Sequence, residues 1–255
     1  MCEEVIKEVN SVFKYILPDT CSDAEKEEKS ITAEEVVKAI KYGKKVEIIN
    51  AVIEGPFILK SVNVEGEVTI QRTKIRGPID WSYATFKRVL NLEDSIFEGD
   101  ATFTAVTIEK DIFLDNATFL GEAKFSNLSV MGAFYSQSTT FKKDVIFSEG
   151  IVKKSITFSK STFGGEADFG NARIGGTAKF TGVNFKKQAS FNGAQIEESA
   201  FFYSADLFSI DVEDVEFEDD LNKGIIPEKL KNIFKTEDYS LSEKAMVTNG
   251  QDDKW

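Results

Sequence analysis

Large apolar residues recur along this chain at alternating steps of five and six residues. The series starts at Ile48, continues through Ile53, Leu59 and Val64, and is still regular at Phe202. An α-helix repeats every 3.6 residues and a strand every two, so neither element alone explains this spacing. Short extended segments separated by sharp turns explain it, with each large side chain pointing into a common core.

One step departs from the series. After Val130 we assign Tyr135 to the next core position, one residue early, and the regular steps resume at Phe141. A smaller apolar residue precedes most of the large ones by two positions, as Ala101 and Ala123 do. Each unit therefore presents one large and one small side chain to the core, with polar residues between them.

A longer period of 22 residues is superimposed on the short one, because every fourth core position after Phe97 is β-branched. These positions are Ile108, Val130, Val152, Ile174 and Ile196. Four core positions per period indicate four walls per coil. Most of the other core positions are phenylalanine, and ten of them form the predicted core ladder: Phe97, Phe103, Phe119, Phe125, Phe141, Phe147, Phe163, Phe169, Phe185 and Phe191.

The repeated triplets carry a resemblance to a known family. Ala-Thr-Phe at 101–103, Ala-Lys-Phe at 123–125 and Ala-Asp-Phe at 167–169 resemble the A-[D/N]-L-x-x unit of the pentapeptide-repeat family. The chain differs in using Phe for Leu and in adding a sixth residue to alternate units. The resemblance implies an all-β solenoid, a right-handed quadrilateral β-helix, over residues 46–210. At 22 residues per coil this segment makes about 7.5 coils.

The segments outside the repeat predict short α-helical caps at both termini. Thr32 and Glu35 fit a capping box that starts a cap helix at about 33–42. Apolar residues between 3 and 16 have helical spacing and predict a second helix, either another cap or a helix that binds a partner, and 19–30 is expected to be a linker. Residues 1–45 would thus be an N-terminal region of helices and linker.

The C-terminal region, residues 211–255, starts with a strongly acidic run at 211–220. Pro227 then precedes a predicted short helix, and a loose tail follows it. One interpretation of the acidic run is a charged edge that prevents solenoids from stacking end to end. The alternative is a tail that binds a basic partner.

The composition argues against an enzyme. The chain has no histidine, which excludes Ser-His-Asp and Cys-His sites and His-ligated zinc. Cys2 and Cys21 have no metal-ligand or redox spacing, so we expect reduced thiols in a cytoplasmic protein. We also expect no cofactor, no metal, no signal peptide and no membrane segment, because no apolar run approaches ~20 residues.

The charge pattern bears on nucleic acids and their mimics. The net charge is -12, but residues 46–210 carry 20 acidic and 17 basic side chains and are nearly balanced. A phosphate mimic needs dense charge of one sign along its length. The pairs Lys142-Lys143 and Lys186-Lys187 lie two coils apart on one wall, and we interpret them as a solvated face. We therefore expect no nucleic-acid partner.

The candidate interaction patch contains Phe113, Phe134 and Phe201, each of which stands just before a core position and should point outward. Neighbouring exposed phenylalanines are typical of contact surfaces. The alternatives are that the irregular step at Tyr135 turns Phe134 inward, or that a terminal helix covers the patch. The predicted function is a non-catalytic scaffold for protein–protein interaction, including a possible homodimer, with the partner unknown. The alternative is a DNA mimic that inhibits or protects DNA gyrase, a type II topoisomerase, as the family resemblance implies.

Overall fold

Each 22-residue segment of the repeat contains four short strands, and each strand pairs in parallel with the strand 22 residues further on. In the computed structural model, which describes residues 2–3, 5–9, 11–211 and 216–217, these strands stack into a solenoid of about eight turns. The predicted all-β solenoid is therefore confirmed. The right-handed, square cross-section stays a prediction of the family resemblance, and the terminal caps stay predictions from the segments outside the repeat.

The stacked strands form four ladders, named A to D here. Ladder A contains Lys45–Ile49, Val68–Gln71, Leu90–Asn91, Ile112–Phe113, Phe134–Tyr135, Ile156–Thr157, Ala178–Lys179 and Ala200–Phe201. Ladder B contains Val52–Glu54, Lys74–Ile75, Ile96–Phe97, Thr118–Phe119, Thr140–Phe141, Thr162–Phe163 and the first residues of Asn184–Ser190. Ladder C contains Phe57–Ile58, Ile79–Asp80, Ala101–Thr102, Ala123–Lys124, Val145–Ile146, Ala167–Asp168 and the last residues of Asn184–Ser190. Ladder D contains Asn63–Val64, Thr85–Phe86, Thr107–Ile108, Ser129–Val130, Ile151–Val152, Arg173–Ile174, Gln195–Ile196 and Glu216–Phe217.

The N-terminal region begins with a β-hairpin, so the helix predicted at 3–16 is wrong. Strands β1 (Val5–Val9) and β2 (Val12–Ile16) pair antiparallel, and β2 pairs in parallel with Lys45–Ile49 of ladder A. The apolar spacing fits a helix, but the first strand of ladder A has an edge that β2 can occupy. Pairing with that edge outweighs the local spacing.

Two helices follow the hairpin, and a short strand separates them. Helix α1 (Asp23–Glu28) begins after Ser22, strand β3 (Ile31–Thr32) pairs with Val52–Glu54, and helix α2 covers Ala33–Lys41. The predicted linker at 19–30 thus contains α1. In the capping box of α2, the Glu35 carboxylate accepts the Thr32 N–H at 2.9 Å. The buried face of α2 lies against the first-turn strands of ladders A, C and D.

The two cysteines form a disulfide, Cys2–Cys21. The prediction of reduced thiols is therefore wrong for this structure. The 19-residue separation matches no motif, but the hairpin reverses the chain and brings Cys2 back beside the segment that follows β2.

Phenylalanine fills the interior of the solenoid. Each of the ten ladder phenylalanines is at most 4% exposed. Most rings on successive turns stack in parallel, with centroids 4.3 Å apart for Phe97 and Phe119 and 4.8 Å apart for Phe163 and Phe185. Rings from different ladders meet edge to face, as Phe119 and Phe125 do. Each such ring pair adds about 0.5–1.5 kcal/mol to the stabilisation from burial.

The 22-residue register is continuous, so the irregular step assigned at Tyr135 is wrong. Phe134 pairs with Ile112 in the turn before and with Ile156 in the turn after. The core position of this turn is Ser136, which is fully buried, and Tyr135 points outward. The earlier assignment counted only large side chains and so missed a core position held by a small residue.

The sixth residue of alternate units has one conformational role. Every eleventh residue adopts a positive φ between 50° and 67°, the left-handed region that produces a sharp turn. These residues are Asn50, Ser61, Arg72, Tyr83, Asp94, Ala105, Asn116, Asn127, Ser138, Glu149, Lys160, Asn171, Gly182, Gly193 and Ser204. None of the fifteen is β-branched, as expected where a branched Cβ would clash most.

The solenoid extends beyond the predicted boundary at 210. Asp206–Asp211 pairs with Asn184–Ser190, and Glu216–Phe217 pairs with Gln195–Ile196. Part of the acidic run therefore belongs to the last turn. The predicted helix after Pro227 and the predicted tail lie outside the described residues. None of the helices in the described ranges combines the length and apolarity needed to cross a membrane.

Candidate interaction surface

The outer row of ladder A contains the aromatic residues that matter for the predicted patch. Its members stand between two buried positions, so their side chains point away from the core. From the second turn onward they are Thr69, Asn91, Phe113, Tyr135, Thr157, Lys179 and Phe201. The row is polar except at two aromatic neighbours and at its last member.

Phe113 and Tyr135 form a stacked pair on neighbouring turns. Their ring centroids are 4.8 Å apart and their planes differ by 7°. Both side chains are half-buried. Each ring covers one face of the other while both side chains stay partly accessible, so the pair forms an apolar ridge on a polar wall.

Phe134 does not belong to this surface, and its assignment to the patch is wrong. It is fully buried, and its ring lies 5.3 Å from Phe147 and 5.5 Å from Phe158. It occupies the smaller inward position, which holds Ile112 in the turn before. Counting 22 residues from Phe113 would have identified Tyr135 as the second exposed aromatic.

Phe201 lies on the same outer row but apart from the pair. Thr157 and Lys179 occupy the two turns between Tyr135 and Phe201. Its side chain is half-buried. The structure therefore brings Phe113 together with Tyr135, and not with Phe134 or Phe201.

Carboxylates and an amide flank the aromatic pair. Asp115 and Gln137 follow Phe113 and Tyr135 by two positions, and Asp115 Oδ1 accepts the Gln137 N–H at 2.6 Å. On the previous turn the Glu93 carboxylate accepts hydrogen bonds from the Gln71 and Asn91 side-chain amides, both at 2.8 Å.

The electrostatics of this rim are unusual at Asp115. Burial raises the pKa of Asp115, and the nearby carboxylates of Glu93 and Asp94 raise it further, against the opposing hydrogen bond from Gln137. Concentrated negative charge beside an apolar ridge favours a cationic group on whatever contacts it. The surface thus combines an aromatic ridge with an acidic rim.

Charges on the first turns are largely paired along the solenoid axis. Arg76 contacts Glu54 at 2.9 Å and Lys87 contacts Glu109 at 2.8 Å, each pair 22 residues apart. In contrast, the lysine pairs at 142–143 and 186–187 are exposed, and no ion pair to them is seen within the described residues. Asp144 and Glu166 lie directly beside them, so this corner is of mixed charge.

A charged cleft separates α1 from ladder B, with a volume of about 240 Å³. Two of its cationic side chains already have partners: Lys74 contacts Glu27 at 3.2 Å inside the cleft, and Arg72 contacts Asp19, which does not line the cleft, at 2.6 Å. The cleft is smaller than the ~300–1,000 Å³ of typical ligand sites and is lined mainly by charges. These ion pairs attach α1 and the segment before it to the solenoid, so we assign the cleft a structural role.

Comparison with known protein families finds no family that matches this chain, and comparisons with curated proteins and with solved structures find no match either.

Proposed function

We propose that this protein is a non-catalytic scaffold that binds another protein through the Phe113–Tyr135 ridge. The observation that carries the proposal is a stacked aromatic pair, half-buried, in the middle of a polar wall. Aromatic residues at surfaces are enriched at the centres of protein interfaces because they bury large areas at little entropic cost. The acidic rim of Glu93 and Asp115 favours a partner with Lys or Arg beside an apolar contact.

The family relationship is part of this proposal. The 22-residue register, one large and one small inward residue per unit, and four strands per turn all support a divergent pentapeptide-repeat protein. Such a protein has its interior filled by side chains, so its binding surfaces are its outer walls. We propose a cytoplasmic location, where the thiol pool would tend to reduce the Cys2–Cys21 disulfide.

The partner tested first is a second copy of the chain. Two ridges could pack across a two-fold axis, which is the commonest symmetry of soluble oligomers. Light scattering on the purified protein should then give twice the chain mass of 28.4 kDa. The double variant Phe113→Ser/Tyr135→Ser should give a monomer, and the matched control Phe201→Ser should leave the dimer intact.

The experiment also separates the dimer from a different partner. A wild-type monomer excludes the homodimer, and a pull-down with the wild type and the double variant then tests for another protein. Loss of a specific binder in the double variant, with retention in Phe201→Ser, would support the ridge as its site. Equal binding by all three proteins would contradict the proposal.

The second candidate function is a DNA mimic that acts on gyrase. The acidic composition beyond the repeat favours it, since residues 211–255 carry 13 acidic and 6 basic side chains. The paired charges on the first turns weigh against it, because they neutralise the rod surface. Titration into a gyrase supercoiling assay tests it: inhibition at low micromolar protein would favour the mimic, and no effect would exclude it.

A further inference from the structure

Strand β1 is attached to the rest of the protein by two links. It pairs with β2 over five residues, and Cys2, just before it, is bonded to Cys21. Among the described strands only β2 pairs with β1, so β1 is the outermost strand of the sheet that contains ladder A. The disulfide closes a loop around the whole hairpin.

The segment that contains Cys21 is anchored without the disulfide. Strand β2 pairs with Lys45–Ile49 over five residues. The Asn50 side-chain amide donates to the carbonyls of Leu17 and Pro18 at 3.0 and 2.8 Å. Cys21 is only 5% exposed and packs in the core. Breaking the disulfide therefore leaves this segment in place and affects the attachment of β1.

We propose that the Cys2–Cys21 disulfide is a redox switch that holds β1 on the sheet when oxidised and releases β1 when reduced. In the reduced state β2 and the solenoid keep their structure. The outer edge of the sheet changes from β1 to β2, so reduction uncovers the backbone N–H and C=O groups of β2 that face β1.

Reduction needs a two-electron thiol reductant, here a dithiol, and the two cysteines differ in exposure. Cys2 is half-buried, whereas Cys21 is buried. A reductant thiolate attacks the Cys2 sulfur, the S–S bond breaks, and the electron pair leaves on the Cys21 sulfur, which takes up a proton. The second reductant thiol then displaces Cys2 as a thiol. Two electrons pass from the dithiol to the protein, and the reductant becomes a disulfide.

The switch gives the chain two states that depend on the compartment. Cytosolic thiol pools keep most cysteines reduced, whereas secreted and periplasmic environments maintain disulfides. In a reducing compartment β1 would be free, and in an oxidising one it would be held.

Hydrogen–deuterium exchange of the full-length chain tests the proposal, with oxidised protein compared with protein reduced by dithiothreitol. Opening a loop of this length removes an entropic constraint equivalent to roughly a hundredfold change in the local opening equilibrium. We expect the β1 amides to exchange up to about 100-fold faster after reduction, while those of Lys45–Ile49 and of the phenylalanine ladder are unchanged. Cys2→Ser should reproduce the reduced pattern without reductant, and reoxidation of the wild type should restore slow exchange.

Three results would overturn the switch. One is unchanged β1 exchange after thiol titration has shown two free thiols per chain. Another is faster exchange through Lys45–Ile49 as well, which would make the disulfide a staple of the whole first turn. The third is two free thiols in denatured protein that was purified in air without reductant.

Discussion

On one turn of ladder A, the large residue Phe134 occupies the first inward position and the small residue Ser136 the second, the reverse of the usual order. Both are fully buried. The turn after has Ile156 and Phe158 at these positions, so the larger residue normally comes second. The Phe134 ring fills the interior from the first position, while the Ser136 hydroxyl donates to Thr139 Oγ1 at 2.9 Å. The volume lost at one position is thus filled from the other.

This exchange predicts strong coupling between the two sites. Phe134→Ala should reduce the free energy of unfolding by about 3–5 kcal/mol because it leaves a cavity. Ser136→Phe alone should cost about 1–3 kcal/mol because the site is already filled. The double variant should be less destabilised than the sum by about 0.5–3 kcal/mol, as measured by urea unfolding followed by circular dichroism.

The control for this cycle pairs Ser136→Phe with Phe97→Ala. Phe97 belongs to ladder B, two turns earlier, so the two effects should add. If the destabilisations caused by Phe134→Ala and Ser136→Phe are also additive, the two side chains do not compete for the same space in the core.

The regular part of the fold was predictable because it is local. One wall recurs every 22 residues, as the spacing of Phe103, Phe125, Phe147 and Phe169 shows. The register was misread only where Ser136 replaces a large residue, since a size criterion does not recognise a small core residue. The spacing correctly predicted Phe113 as an outward residue of the candidate site. The same misreading of the register placed its stacking partner Tyr135 in the core.

The N-terminal region was not predictable because it depends on tertiary pairing. Valines at 5, 9 and 12 fit a helix as well as they fit a hairpin. What selects the hairpin is the edge of Lys45–Ile49, more than thirty residues away in sequence. The same reversal brings Cys2 to Cys21, and their spacing alone gives no indication of it.

The positive φ of Ala105 determines how substitutions at this position should change the stability of the protein. It has a φ of 54°, where any Cβ is strained and a branched one more so. Ala105→Gly should stabilise the protein by roughly 0.5–1 kcal/mol, because relief of strain exceeds the entropic cost of glycine. Ala105→Val should destabilise it.

The matched control is Ala101→Gly, on a ladder C strand with inward side chain. There glycine removes packing and adds freedom to the unfolded chain, so it should destabilise by about 1 kcal/mol. Melting temperatures rank the variants, and a lower value for Ala105→Gly than for the wild type would contradict the strain argument.

Trp81 is fully buried, and its Nε1–H finds no hydrogen-bond partner among the residues that the structure describes. Its ring contacts Phe57 and Phe103 edge to face, at 5.1 and 5.3 Å. An unsatisfied buried donor costs about 1–3 kcal/mol. Trp81→Phe should therefore change stability by less than about 1.5 kcal/mol, since relief of that cost offsets the lost volume.

Two measurements check the assignment of Trp81. In a Trp255→Phe background its fluorescence should be blue-shifted and poorly quenched by acrylamide. Trp81→Ala should cost about 3–5 kcal/mol in urea unfolding. If Trp81→Phe destabilises as much as Trp81→Ala, the indole N–H makes a favourable contact after all.

Asp115 predicts a pH dependence beside the proposed binding ridge. Burial and the nearby carboxylates raise its pKa in the folded protein above the ordinary value of 3.8. The folded state therefore takes up a proton at a higher pH than the unfolded state does. Stability falls as the pH rises from the unfolded pKa through the folded pKa, and the ionised carboxylate destabilises the protein at neutral pH.

Asp115→Asn should therefore raise the melting temperature at pH 7, since the amide oxygen can still accept the Gln137 N–H. The difference from the wild type should shrink as the pH falls through the folded pKa and vanish below 3.8, where Asp115 is protonated in both states. Asp144→Asn is the control for loss of one acidic charge, because Asp144 also accepts a backbone N–H from the next turn, that of Glu166 at 2.8 Å. A stabilisation by Asp115→Asn that stays constant from pH 7 to pH 3.5 would show that the raised pKa is not its cause.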